Sequence, residues 1–283
     1  MPSTKPLKKL LLGLILLLGT PGPFCSSAQA AMVQRLEASQ VARLQDAIIL
    51  DARPETAWAK GHIPGALSFS WEKHLRWEEK TGIRQLNRVE VVRQLGQLGI
   101  SPTAQLVIYG DTDSSWGGEG WLCWLFSLLG HRGEILLLNG GIQAWQRLGM
   151  PLSSNPAPAG PQAAYLAQPR PALNIETEDL AASLQQWQIV DTRAFFEKIR
   201  SSIPGAVRIH WRDFYTGIEH RPLTRQELSA LLRKNGIDPN RPVVYYCSAG
   251  VRSAYAWTVH ELSGLPSAVN YSGGMDAWSR QRF

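Results

Sequence analysis

Apolar positions along the chain cluster in two ways. Short unbroken runs, DAIIL (46–50), QLVIYG (105–110) and EILLLNG (134–140), lack the polar alternation of a half-exposed strand. Between them, NRVEVVRQLGQLG (87–99) spaces its apolar residues near the helical period and stops at Gly99. The order then returns in WQIVD (187–191), LTRQELSALLRKNG (223–236), PVVYY (242–246) and SAYAWTVHELSG (253–264). Strands apolar on both faces, separated by amphipathic helices, predict an α/β chain with mainly parallel sheets and helices on both faces.

The return is a duplication. ILDAR (49–53) matches IVDTR (189–193), IPGA (63–66) matches IPGA (203–206), and Trp71 matches Trp211, all at an offset of 140. LGISPTAQLVIYG (98–110) matches NGIDPNRPVVYYC (235–247) at an offset of 137, and GGIQAW (140–145) matches GGMDAW (273–278) at 133. Landmarks recurring in one order place a first domain at 31–150 and a second at 174–283. Residues 151–173 join them. Rich in Pro, Ala and Ser and without periodicity, they read as a partly extended linker.

The first thirty residues belong to neither copy. Lys5, Lys8 and Lys9 precede the apolar run Leu10–Leu18, and Ala28-Gln29-Ala30 has the small-x-small form of a cleavage site. This is the pattern of a secretory signal peptide, and the run is too short for the ~20 residues of a membrane span. The expectation is an exported protein, periplasmic or secreted, without stable membrane insertion. Removing residues 1–30 takes three lysines from a net charge of +6 and leaves +3. With no Lys/Arg stripe, that small excess argues against nucleic acid and suits small anionic substrates. Cleavage also removes Cys25, so the mature chain keeps Cys123 and Cys247 of its three cysteines. Cys123 lies in the apolar helical stretch WLCWLFSLLG (121–130) and reads as an inert core residue.

Cys247 is different. It follows the strand VVYY, the small residues Ser248, Ala249 and Gly250 come next, and after Val251 an arginine, Arg252, leads into the helical stretch that starts at Ser253. In open α/β sheets chemistry sits beyond the carboxyl ends of strands. A sulfur below a helix N-terminus, beside unpaired N–H groups and an arginine, is stabilised as an anion. A buried strand cysteine is the plainer alternative, but it would not require a run of small residues followed by Arg252. No cofactor is expected. The six histidines show no metal spacing, and the Gly-Gly pairs at 140–141 and 273–274 form no nucleotide fingerprint.

LDARPETAWAKGHIPGA (50–66), the loop CSAGVRS (247–253) and the two GG-x-x-AW endings resemble the rhodanese family, in its tandem two-domain arrangement. The resemblance covers essentially the whole mature chain. It implies that Cys247 accepts a sulfane sulfur from a small anionic donor, holds it as a persulfide, and passes it to cyanide or a thiol. It also implies an inert first domain, because Gly110 stands where Cys247 stands in the second. Trp116, in that degenerate loop, is a candidate to line the substrate cleft. Asp51 and Asp191, with Arg53 and Arg193, occupy strand ends and read first as turn and inter-loop bonding partners, although Arg193, at the catalytic end of its strand, is also a candidate to meet the substrate. One departure is plain: Gly61-His62 precedes the first IPGA, whereas Ser201-Ser202 precedes the second.

Mercaptopyruvate members of the family carry a CGSGVT loop and extra arginines that clamp the carboxylate. Here the loop is CSAGVRS, and Glu197 takes the place of one such arginine, with Arg200 nearby as a substitute. Thiosulfate is therefore the expected donor and 3-mercaptopyruvate the alternative. A Cys-dependent phosphatase is disfavoured because only four residues separate Cys247 from Arg252, where phosphatase loops have five. A non-catalytic binding module would not need the intact cysteine loop. An exposed thiolate outside the cytosol would call for a thiol reductant protein as partner.

Overall fold

The computed structural model describes residues 32–79, 82–198 and 201–281; the signal-peptide reading of 1–30 and Arg200 lie outside them. In the first repeat the strands are β1 (Val33–Leu36), β2 (Ile48–Asp51), β3 (Leu67–Ser68), β4 (Leu75–Glu78), β5 (Ile83–Leu86), β6 (Leu106–Tyr109) and β7 (Ile135–Leu138). Its helices are α1 (Ala38–Val41), α2 (Glu55–Lys60), α3 (Arg88–Gln97), α4 (Gly118–Leu128) and α5 (Gly141–Arg147). The second repeat carries strands β8 (Gln188–Asp191), β9 (Val207–Arg208), β10 (Tyr215–Thr216), β11 (Arg221–Pro222), β12 (Val243–Tyr246) and β13 (Ala268–Tyr271). Its helices are α6 (Thr177–Ala182), α7 (Phe195–Lys198), α8 (Arg225–Lys234), α9 (Val251–Ser263) and α10 (Gly274–Trp278).

Each repeat builds a parallel sheet, in the order β1-β7-β6-β2-β3 and β13-β12-β8-β9. The unbroken apolar runs are explained by burial on both faces. In β6, Leu106 and Ile108 enter one core while Val107 and Tyr109 enter another; in β12, Val243 and Tyr245 part from Val244 and Tyr246 in the same way. The predicted helices form with local signals at their starts. Asn87 caps α3 by accepting from the Glu90 N–H at 3.0 Å. Thr224 and Glu227 form a reciprocal capping box at the start of α8. Helices α4 and α9 begin three and two residues earlier than their apolar patterns suggest, each directly after a left-handed glycine, Gly117 or Gly250. The hairpins β4–β5 and β10–β11, both antiparallel, are not foreshadowed by any pattern in the chain.

The two repeats share one core. Trp121, Trp124 and Phe126 of α4 belong to the same apolar cluster as Tyr255, Trp257 and Val259 of α9. Fully burying a side chain of this size contributes about 2–3 kcal/mol. Thr258 Oγ1 donates to the Gly120 carbonyl at 2.9 Å, which holds the two helices in close contact. The 151–173 segment is irregular, as expected of a linker, but it lies along the first repeat. Gln168 and Arg170 donate their N–H groups to Leu129 and Leu128, and Tyr165 is buried beside His131. The helices that cap the two strand-end loops are therefore the ones that meet, and both loops open at the junction of the repeats.

Candidate active site

The active loop is shaped by three constraints. Tyr246 ends β12 inside the sheet, and Gly250 turns the chain into α9 with φ +80°, where a Cβ would also press on the Ser272 backbone at 2.6 Å. The N–H groups of Met275 and Asp276, at the start of α10, donate to the carbonyls of Cys247 and Ser248 at 2.9 and 3.0 Å. These two carbonyls are thereby spent on α10. The first N–H groups of α9 have no intrahelical acceptor and stand immediately after the cysteine. Inside the loop, Ser253 Oγ lies 3.6 Å from the Cys247 sulfur and donates to Asn270 Oδ1 at 2.7 Å, while Asn270 Nδ2 donates to the Gly250 carbonyl at 3.1 Å.

Cys247 is only 2% exposed but faces a cleft of about 400 Å³. The cleft is lined by Ser248, Ala249, Val251 and Arg252 of the loop, by Glu197, and by four residues of the first repeat: Trp71, Glu72, Arg84 and Trp116. Trp116 thus reaches the site from the degenerate loop. It is held at φ +55°, half-exposed, with the Arg252 guanidinium 5.9 Å from its ring centre and Trp211 stacked at 6.2 Å. Arg252 donates to both oxygens of Glu197 at 2.6 and 2.8 Å and to Ser248 Oγ at 2.9 Å. Burial works against its charge, but Glu197 and the Cys247 sulfur outweigh it and hold the guanidinium pKa above its ordinary value. The same hydrogen bonds hold the Glu197 carboxyl down at about 2.

The structure does not bring Arg193 into the cleft. Its Nε and Nη2 bind the buried carboxylate of Asp191 at 3.0 and 2.7 Å, and Nη2 also donates to the Ser201 carbonyl at 2.7 Å. Nη1 faces the Glu197 carbonyl at 3.4 Å, and with its side chain only 4% exposed the guanidinium is not part of the cleft lining. The first repeat has the same network: Arg53 grips Asp51 and the Gly61 carbonyl, and Tyr109 caps Asp51 as Tyr246 caps Asp191. This explains why Ser201 can replace Gly61, since only a backbone carbonyl is used. His62 serves the first repeat alone, stacked on Trp58 and bonded to the Asn155 carbonyl at 3.1 Å.

Four residues of the site escaped the sequence: Trp71, Glu72, Arg84 and Asn270. The first three come from the first repeat, and Arg84 sits on the unforeseen hairpin, tied to Asp276 of α10 at 3.1 Å. Asn270 carried a signal, a polar residue inside the apolar strand AVNY. Cys123 is fully buried and unpaired, and burial among apolar residues pushes its thiol pKa well up. Among the described residues there is no cluster of metal-ligating side chains, and no helix is long and apolar enough to cross a membrane.

The opposite loop is a filled version of this one. Aligned on their N-cap glycines, Gly117 and Gly250, helices α4 and α9 place Glu119 where Arg252 stands. The Glu119 carboxylate folds back over Gly110, so that a Cβ there would collide with it and with the Ser115 hydroxyl. It accepts from Ser115 Oγ at 2.7 Å and from the Tyr215 hydroxyl of the second repeat. Burial raises its pKa to about 7.

Tandem parallel sheets, with one strand-end cysteine facing a cleft and a glycine in the matching place of the first repeat, define a duplicated α/β protein. The chain belongs to the rhodanese family: residues 30–148 and 176–281 each match the rhodanese-like domain. It is 29% identical to 3-mercaptopyruvate sulfurtransferase of Rattus norvegicus over 243 residues, covering 81% of this chain and 80% of the relative. It is 28% identical to a thiosulfate sulfurtransferase of Pseudomonas aeruginosa over 244 residues, covering 82% and 87%. The fold is shared with an anaerobic ergothioneine biosynthesis enzyme from Chlorobium limicola, solved with trimethyl histidine, at a TM-score of 0.72 and 24% identity. That likeness covers 84% of this chain and 63% of that one.

Proposed function

We propose that thiosulfate is the sulfur donor and that its outer sulfur passes through a persulfide on Cys247 to cyanide or a thiol. The chain is a sulfurtransferase. The observation that carries the reading is the placement of Cys247 at the floor of the cleft, directly before the N-terminus of α9 and beside Arg252. The thiolate attacks the outer sulfur of thiosulfate, the sulfur–sulfur bond breaks, and sulfite leaves with the bonding pair. The charge then resides on the terminal sulfur of the persulfide, where helix N–H groups and Arg252 oppose it. Attack by cyanide releases thiocyanate and restores the thiolate, so one transfer is split into two steps.

The alternative donor, 3-mercaptopyruvate, is named in several relatives. Against it stands Glu197, which occupies the arginine fork that a carboxylate donor would need. A phosphatase is disfavoured by the four-residue spacing between Cys247 and Arg252. In the same reading, the basic start and short apolar run direct export with cleavage after Ala30, and a thiol reductant protein clears the persulfide. The test is intact mass after incubation with thiosulfate. The native enzyme gains one sulfur atom and Cys247→Ala gains none; no gain in either would refute the reading.

A further inference from the structure

Arg252 presents a planar two-nitrogen fork to the cleft, the geometry that recognises a carboxylate or another oxyanion. In this molecule the fork is already taken. Both Glu197 oxygens accept from it, at 2.6 and 2.8 Å, and the Ser248 hydroxyl and the Ala194 N–H hold the same carboxylate at 2.9 and 3.2 Å. The pair is asymmetric: the Arg252 side chain is 10% exposed and that of Glu197 35%. The guanidinium is fixed in the wall, and the carboxylate is the partner on the solvent side. The other cation lining the cleft, Arg84, is bound to Asp276, and Glu72 adds a further negative charge.

We propose that Glu197 selects the sulfur donor by acting as a built-in carboxylate competitor for Arg252; this rests on the reading of the site as a thiosulfate-using sulfurtransferase. A donor whose only anchor is a carboxylate must exchange one carboxylate for another of equal charge. It gains no attraction by doing so. It also competes against a group tethered at an effective concentration on the order of millimolar or above. Thiosulfate carries two charges and three oxyanion oxygens, so it gains more from Arg252 than the resident carboxylate does. The chemical step is unchanged: Cys247 attacks the outer sulfur and sulfite leaves with the bonding electrons. What Glu197 sets is which donor can reach that step.

The experiment compares kcat and KM for thiosulfate and for 3-mercaptopyruvate in the native enzyme, Glu197→Gln and Glu197→Ala, with pyruvate as a non-transferring carboxylate inhibitor. Two variants guard against one that fails to fold. Removing the competitor should lower KM for 3-mercaptopyruvate by about tenfold, a change of about 1.4 kcal/mol, and strengthen pyruvate inhibition by a similar factor. The native preference for thiosulfate should shrink accordingly, with kcat moving less than KM. If Glu197 merely positions Arg252, KM rises for both donors in both variants and pyruvate inhibition weakens. That outcome, or an unchanged donor ratio, overturns the proposal. If the native enzyme takes no sulfur from thiosulfate at all, the functional reading falls instead, and the two failures are told apart by the native enzyme alone.

Discussion

Asn270 shows how one buried polar side chain can set a reactive loop. It is fully buried in β13, receives the Ser253 hydroxyl and donates to the Gly250 carbonyl. Its truncation leaves both partners unpaired away from water, which costs about 1–3 kcal/mol. Asn270→Ala should lower the denaturant midpoint without changing the slope, and lower kcat about tenfold, since a small displacement of positioned groups suffices for such a loss. Unaltered stability and rate would mean that the loop is held by its backbone alone. Arg193 teaches the opposite lesson. An arginine two residues beyond a strand-end aspartate suggested a substrate contact, yet that proximity is what lets the pair close on itself. Sequence shows that Asp191 and Arg193 are near each other, but not that Ser201 and Tyr246 complete the cage.

At the scale of elements, the two strand-end loops are one design run in two directions. In the second repeat, small residues and an early arginine leave room and positive charge for an anionic sulfur. In the first, four more residues precede the N-cap glycine, and Glu119 fills the space with a protein carboxylate. A single substitution should therefore not revive it. Gly110→Cys in a Cys247→Ala background is expected to gain no sulfur from thiosulfate, because its Cβ collides with Glu119 and Ser115. It should also lose stability by about 1–3 kcal/mol from overpacking. Intact mass and thermal melting check both; a sulfur adduct on the introduced thiol would show that the first loop is more open than its geometry indicates. The main strands and the longer helices were legible because period and capping are local. The hairpin β4–β5 was not, and its distant partners, Asp276 of α10 for Arg84 and Arg280 for the Gly82 carbonyl, lie nearly two hundred residues away.

For the whole molecule, the buried link between Glu119 and Tyr215 ties the repeats and makes their union depend on pH. Burial lifts the Glu119 pKa from 4.5 to about 7. As pH rises between those values the unfolded chain releases this proton while the folded protein retains it, so this contribution to stability falls across the window and is level above it. The full span corresponds to about 3 kcal/mol. Chemical denaturation from about pH 5 to about pH 8 should thus give a flatter profile for Glu119→Gln than for the native protein, with the variant gaining relative stability at the alkaline end. Parallel profiles would show that Glu119 is charged throughout. The amino-acid sequence by itself determined the duplication, the α/β class and the placement of Cys247 and Gly110 at matching strand ends, because periodicity and motif order are properties of the chain read in line. The tertiary structure alone decided that Trp71, Glu72 and Arg84 of the first repeat join Trp116 in the cleft wall, that Ser201 and Tyr246 close the cage around Arg193 and Asp191, and that Glu197 holds Arg252. Those groupings follow from how the elements and the two repeats pack, and packing brings together side chains that no local spacing relates.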